Sequence, residues 1–252
     1  MAIWYALQTE RLKVKRTLAL WLAPLAPLVI IGLQLAIVLQ RLAYFRNQDT
    51  TAAWTEHGGQ IVFLWTMLLL PLFITLESAL LGNLEHGNSQ WKHLYALPIP
   101  RGAVYAAKQI STMAIIGLSM AALYVYIVVS GLALRLVAPG LGFEAPVPWW
   151  EFFRYLGLAY LASWLIISIH TWVSLRWHSF VVASAVGIVA MVFAVFMFES
   201  DWSQWYPWTY PGLVAYFAEE GLDPMRELLI GSLGGMVVAL LGGWEVTRRD
   251  VL

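Results

Sequence analysis

Six stretches of this chain contain no Asp, Glu, Lys or Arg over a length that could cross a membrane: residues 17–40, 57–76, 109–134, 155–175, 177–198 and 228–244. A helix rises 1.5 Å per residue, so about 17–25 apolar residues cover the roughly 30 Å of a bilayer's hydrocarbon layer. The runs do not alternate apolar with polar residues, as barrel strands would. They predict an all-α membrane protein with six transmembrane helices, near 18–40, 60–81, 109–134, 154–175, 178–198 and 227–245. No soluble segment of domain size interrupts them, so residues 1–252 read as one membrane domain.

Composition supports this. Charged residues make up 12% of the chain, against about 25% in a typical soluble domain. The 14 tryptophans suit a protein with two headgroup layers to meet. A net charge of zero offers no field to attract nucleic acid. The absence of cysteine excludes disulfides, thiolate metal sites and a cysteine nucleophile.

Orientation follows from Lys and Arg, which concentrate on the cytoplasmic side. With the N-terminus inside, the inner segments hold Arg11, Lys13, Lys15, Arg16, Lys92, Arg101, Lys108, Arg176, Arg248 and Arg249. The outer ones hold only Arg41, Arg46, Arg135, Arg154 and Arg226. Six spans then put both termini in the cytoplasm. Residues 1–17 place Ile3, Trp4, Leu7 and Val14 near one helical face, which predicts a helix lying in the cytoplasmic interface. A cleaved signal peptide is the rival reading, but the apolar run that follows is longer than such a peptide needs, which favours an uncleaved span.

Two outer segments are rich in proline and aromatic residues. Residues 135–152 carry Pro139, Pro146, Pro148, Trp149 and Trp150. Residues 199–225 carry Trp202, Trp205, Tyr206, Trp208 and Tyr210 with Pro207, Pro211 and Pro224. Proline interrupts a helix and aromatics favour the headgroup layer. Short re-entrant or interfacial helices capping the outer leaflet are expected, with 199–225 as an extracellular lid; an ordinary aromatic belt is the plainer reading.

Enzyme motifs do not emerge. There is no G-x-x-x-x-G-K-[ST] loop and no H-E-x-x-H pair. His86 and His93 are seven residues apart, and a solvated pair explains them better than a metal site. Ser119 in Gly117-Leu118-Ser119-Met120 lacks the following glycine of a rhomboid-type serine motif. No catalytic, cofactor-binding or metal-binding residue is assigned.

What remains is residues 77–108, ESALLGNLEHGNSQWKHLYALPIPRGAVYAAK. Glu77 is a carboxylate inside an apolar run, where charge costs about 2.5–3.5 kcal/mol at the bilayer centre. It lies some five residues from Gly82, hence about 8 Å from the edge. It either forms an intramembrane ion pair, with Lys108 as candidate partner, or snorkels. Residues 82–108 then form a cytoplasmic loop far longer than a connection requires. Trp91, Leu94 and Tyr95 are apolar anchors of the kind that dominate interfaces. Lys92 and Arg101 suit a partner or anionic lipid.

Six spans, an N-terminal interfacial helix, and the pattern Glu77, Glu85, Gly87, Asn88, Trp91, Lys92, Leu97, Pro98, Arg101, Lys108 resemble the ABC-2 type permeases. The similarity extends to the type V exporter-like transmembrane fold and to the compact permeases of lantibiotic-immunity and bacitracin-resistance exporters. The ending GGWEVTRRDVL is similar to theirs. The resemblance implies a non-enzymatic subunit in a bacterial plasma membrane, paired with a second permease copy or a sister. Two separate ATPase subunits would bind the ATP and Mg. Glu85, Asn88, Trp91, Lys92, Leu94, Tyr95, Pro98 and Arg101 would form the coupling segment they grip. Trp202, Trp205, Tyr206, Trp208 and Tyr210 would belong to the outer lid.

A cleft lined by the fifth span, with Met191, Phe193 and Phe196, suits a hydrophobic peptide or drug-like substrate. Lipid or polysaccharide export is the alternative within the family. An ATP-independent scaffold or intramembrane enzyme is the alternative outside it.

Overall fold

The structure, a computed structural model, describes residues 2–46, 52–86, 100–177 and 179–248. Among them there are helices and turns and no strand. The helices are α1 (Ala2–Val14), α2 (Leu18–Gln40), the short α3 (Leu42–Arg46), α4 (Ala53–Leu64) and α5 (Leu70–His86), which a π turn at Trp65–Leu69 joins to α4. Then come α6 (Arg101–Val137), α7 (Trp149–Ala162), α8 (Trp164–Arg176), α9 (Phe180–Met197), α10 (Tyr210–Glu219) and α11 (Met225–Arg248).

Five helical stretches are long and apolar enough to span a membrane: α2, α4 through α5, α6, α9 and α11. The sixth is the pair α7–α8, bent by 42°. The all-α class and the spans therefore agree with the sequence, but three details differ.

First, the spans outrun the uncharged windows. The second begins at Ala53, not near 60, and the third begins at Arg101, not at 109. Lys108 is thus inside α6 and buried, not in a loop. A helix can extend past its apolar window when its charges find partners within the bundle, and Lys108 does.

Second, the fourth span is broken at Ser163. No proline causes this. Ser163 Oγ donates to the Tyr160 carbonyl at 2.6 Å, the back-bonding that bends helices. Across the break lies α11: Gly231 sits against the Ala162 backbone, and a Cβ at Gly235 would come within 2.6 Å of the Trp164 carbonyl carbon. Only residues without a Cβ let the two backbones approach this closely.

Third, residues 138–148 hold no helix; the chain turns there through left-handed Gly140 and Gly142. Of the two expected interfacial segments, the later one has a short helix of its own, α10, whereas in the earlier one Trp149 and Trp150 belong to the start of α7.

The second span has its own irregularity. Pro71 has no N–H, and its ring would collide with the carbonyl four residues back. The π turn just before it relieves this, and the Leu70 N–H bonds the Trp65 carbonyl five residues earlier. Gly212 of α10 packs on this wide turn, where a Cβ would lie 3.2 Å from Met67 Cα.

One apolar cluster runs through α2, α4–α5, α6, α7 and α8, with Trp65, Ile74, Leu123, Phe152 and Ile166 at its centre. Side chains on α9 and α11 point largely outward, including Val189, Phe193 and Phe196, and Leu233, Leu240 and Leu241. These two helices are the periphery of the isolated chain.

Candidate functional site

The two ends of the bundle differ. One end gathers α1, the end of α5, the start of α6 and the last turns of α11. The other gathers residues 138–148 and the segment around α10.

At the terminal end, α1 does not simply lie on a surface. Ala6, Glu10 and Val14, spaced by four, form a buried stripe against α6. Ile3, Trp4, Tyr5 and Leu12 remain exposed. The expected apolar face (Ile3, Trp4, Leu7, Val14) is thus divided: Ile3 and Trp4 face away from the protein, Leu7 is half-buried, and Val14 docks with Ala6 and Glu10. Glu10 Oε2 stands 2.7 Å from Lys108 Nζ, both side chains 2% exposed. Oε2 has no hydrogen-bond partner, so this contact is mainly Coulombic. Lys13 Nζ reaches Glu10 Oε1 at 3.2 Å, and Lys108 Nζ donates to the Leu81 carbonyl at 3.4 Å. One buried ammonium therefore ties α1, α5 and α6 together, at the end of the bundle where α5 finishes and α6 begins.

The anticipated partnership of Glu77 with Lys108 is not formed. Glu77 is fully buried, and neither carboxylate oxygen has a hydrogen-bond partner. The reason lies in α1: by folding back along α6 it delivers Glu10 to the ammonium first. Glu77 does not snorkel to an edge either.

Of the expected coupling residues, Arg101 opens α6 behind the N-cap residue Pro100. Glu85 lies near the end of α5. Asn88, Trp91, Lys92, Leu94, Tyr95 and Pro98 lie outside the described residues.

A second polar group at this end links α8 to α11. The Trp172 indole N–H donates to Glu245, and Arg176 Nε stands 3.6 Å from the same carboxylate. A Cβ at Gly242 would collide with the Tyr105 hydroxyl, so α6, α8 and α11 meet here. The sequence signal for both junctions was an acidic residue near the end of an apolar helix; the partner could not be read without the packing.

Within the spans, polar side chains bond helix to helix. Gln34 donates to Gln60 at 2.6 Å, His57 pairs with Ser130 at 2.9 Å, and Gln109 donates to Ser168 at 2.9 Å. Such bonds contribute about 0.6–2 kcal/mol each in membranes. Among the described residues no group of three or more His, Cys, Asp or Glu could hold a metal ion.

At the far end, the residues expected to form a lid divide into two sets. Trp202 and Trp205 are exposed; Arg226 stacks over the Trp205 ring at 4.2 Å. Tyr206 and Trp208 turn inward, and Tyr210 is buried. The Tyr206 hydroxyl donates to the Ala190 carbonyl at 2.8 Å, and the Trp208 indole donates to His170 Nε2 at 3.2 Å. Arg154 Nη2 donates to the Ala218 carbonyl at 2.8 Å. Trp54 Nε1 donates to the Ala145 carbonyl at 3.0 Å, so the second segment closes the same end. Burial, then the neighbouring Glu220, pushes the Glu219 carboxyl above the usual carboxylate range.

A family model described as ABC-2 family transporter protein matches residues 6–196. No curated protein matches the chain.

Proposed function

The chain belongs to the ABC-2 transporter family, and from that premise we propose that it is the permease subunit of an ATP-driven exporter. Membership makes it a transmembrane component of an ABC transporter; direction, motor contact and substrate are our reading. The observation that carries it is the three-helix junction at Lys108. A push on residues 87–99 enters α5 and α6 at once, because those helices flank the segment. The ammonium holding Glu10 of α1 and the Leu81 carbonyl of α5 passes that push to three elements without slack.

In this reading both termini are cytoplasmic, and two copies of a separate ATPase subunit grip the segment through Trp91, Leu94 and Tyr95. A second permease, identical or sister, covers outward-facing apolar helices such as α9. The α10 segment is the outer lid. A hydrophobic or amphipathic peptide or drug suits the wall of Val, Phe and Met side chains on α9, where a sugar path would need more polar groups. A bacteriocin-immunity or drug-resistance role in a bacterial plasma membrane fits this substrate class.

The test is ATP turnover by the complex purified from native membranes. Replacing Trp91 and Leu94 with Asp is expected to lower substrate-stimulated turnover at least tenfold while membrane insertion is retained. Loss of two apolar interface anchors accounts for that size. Unchanged turnover rejects the coupling role.

A further inference from the structure

The Trp208 indole and the His170 imidazole meet where α5, α8 and α9 cross. His170 is 1% exposed. Two donors face its Nε2: Trp208 Nε1 at 3.2 Å and Thr75 Oγ1 at 3.3 Å. An indole N–H can only donate. Nε2 is therefore the bare nitrogen of this imidazole, with the ring proton on Nδ1. A bare imidazole nitrogen has one lone pair, so it accepts one good hydrogen bond at a time. The Thr75 hydroxyl has another acceptor, the Pro71 carbonyl at 2.9 Å. The observed state thus has Trp208 on His170 and Thr75 on Pro71.

The surroundings make the node tight and specific. A Cβ at Gly187 of α9 would collide with Thr75 and come within 2.6 Å of His170 Cε1. The Trp208 ring meets the imidazole edge to face, with centroids 5.8 Å apart. Trp208 sits in a single 3-10 turn, Pro207–Thr209, directly ahead of α10. Thr75 lies one helical turn past Pro71 and the π turn on which α10 packs. The α10 segment is thus fastened to the spans beside the one wide turn in the second span.

We propose that the Trp208–His170 hydrogen bond is a latch holding the α10 cap shut, and that Thr75 takes over the imidazole when the cap lifts. Rotation of one hydroxyl moves its hydrogen from the Pro71 carbonyl to Nε2. His170 then keeps a donor after Trp208 leaves. Without that exchange, cap release would strand a buried acceptor, which costs about 1–3 kcal/mol. The hand-over gives His170 a donor in both positions of the cap, and it stands apart from the motor contact proposed above.

The test is hydrogen–deuterium exchange of the full chain in lipid nanodiscs, read over residues 203–219 with α6 as internal reference. Trp208→Phe keeps the ring and removes the donor; it is expected to speed exchange in the cap about fivefold or more and to leave α6 unchanged. Thr75→Val keeps the shape and removes the substitute donor. In the closed state the Pro71 carbonyl keeps its helical N–H partner when the hydroxyl is lost, whereas in the open state Nε2 is left without a donor; the larger penalty falls on the open state, so the cap is expected to exchange more slowly than in the wild type. Cap exchange unaltered by Trp208→Phe, or α6 loosened to the same degree, overturns the latch. Cap exchange unaltered or faster in Thr75→Val overturns the hand-over. Because neither readout involves ATP, failure here is distinguishable from failure of the coupling role.

Discussion

Single side chains decide how this chain holds its charges in an apolar setting. Lys108 is the clearest case. An unpaired ammonium among helices would carry a desolvation penalty of several kcal/mol. Glu10 and the Leu81 carbonyl offset it, and the pairing recruits α1 into the bundle. The sequence shows both charges but not their meeting. Glu77 is closer to Lys108 in position along the chain and was the natural partner, whereas Glu10 comes from 98 residues away, the difference between 108 and 10. The 6, 10, 14 spacing that puts Glu10 on the docking face stands out only once α1 is seen against α6, because Ile3, Trp4 and Leu7 draw the eye to another face. Glu10→Leu is expected to destabilise the protein by about 3 kcal/mol or more, the loss when one partner of a buried pair is removed. Glu10→Leu with Lys108→Met is expected to recover most of that, because no charge is left stranded. Thermal unfolding of the detergent-solubilised protein checks both. A double variant as unstable as the single one would mean that the ion pair does not set the cost.

Elements depart from regularity where two of them must approach or one must bend. Six apolar windows identified six spans because a helix crossing hydrocarbon leaves a long uncharged run. The same run conceals a break. Residues 155–175 read as one helix, yet the chain kinks at Ser163, and nothing local in the sequence beyond a serine marks it. The signal was non-local: Gly231 and Gly235, four apart on α11, are the complement of the exposed backbone at Ala162–Leu165. The π turn before Pro71 was likewise not read from the sequence, where the proline sits inside an unbroken apolar window. Gly231→Leu is expected to prise α11 from the α7–α8 break and to lower stability by about 3 kcal/mol or more, since the neighbour is backbone that cannot yield. Gly234→Leu, on the same helix where a Cβ would lie 3.5 Å from Leu165, is expected to cost much less. Equal losses would show that α11 does not depend on this close crossing.

Taken whole, the molecule has two unlike ends, which the proposed function reads as one that receives force and one that closes. The fold class and the family were readable from hydropathy and from the pattern between Glu77 and Lys108, because span length and the motif are written locally. The cap was readable as aromatic and proline-rich, but not which rings face inward, since that depends on His170 and Ala190 from other helices. Residues 87–99, in the proposed function, are a handle held by a separate ATPase. The chain contains no cysteine, so Ser89→Cys creates a single reactive thiol at the handle while leaving its apolar anchors in place, and Gln204→Cys one at the cap. The decisive measurement is photo-crosslinking from each thiol in native membranes, followed by mass spectrometry of the adducts. An adduct is expected between position 89 and a P-loop ATPase subunit, and none from position 204. Lipid adducts alone at position 89, in membranes where the transporter is active, would contradict the handle.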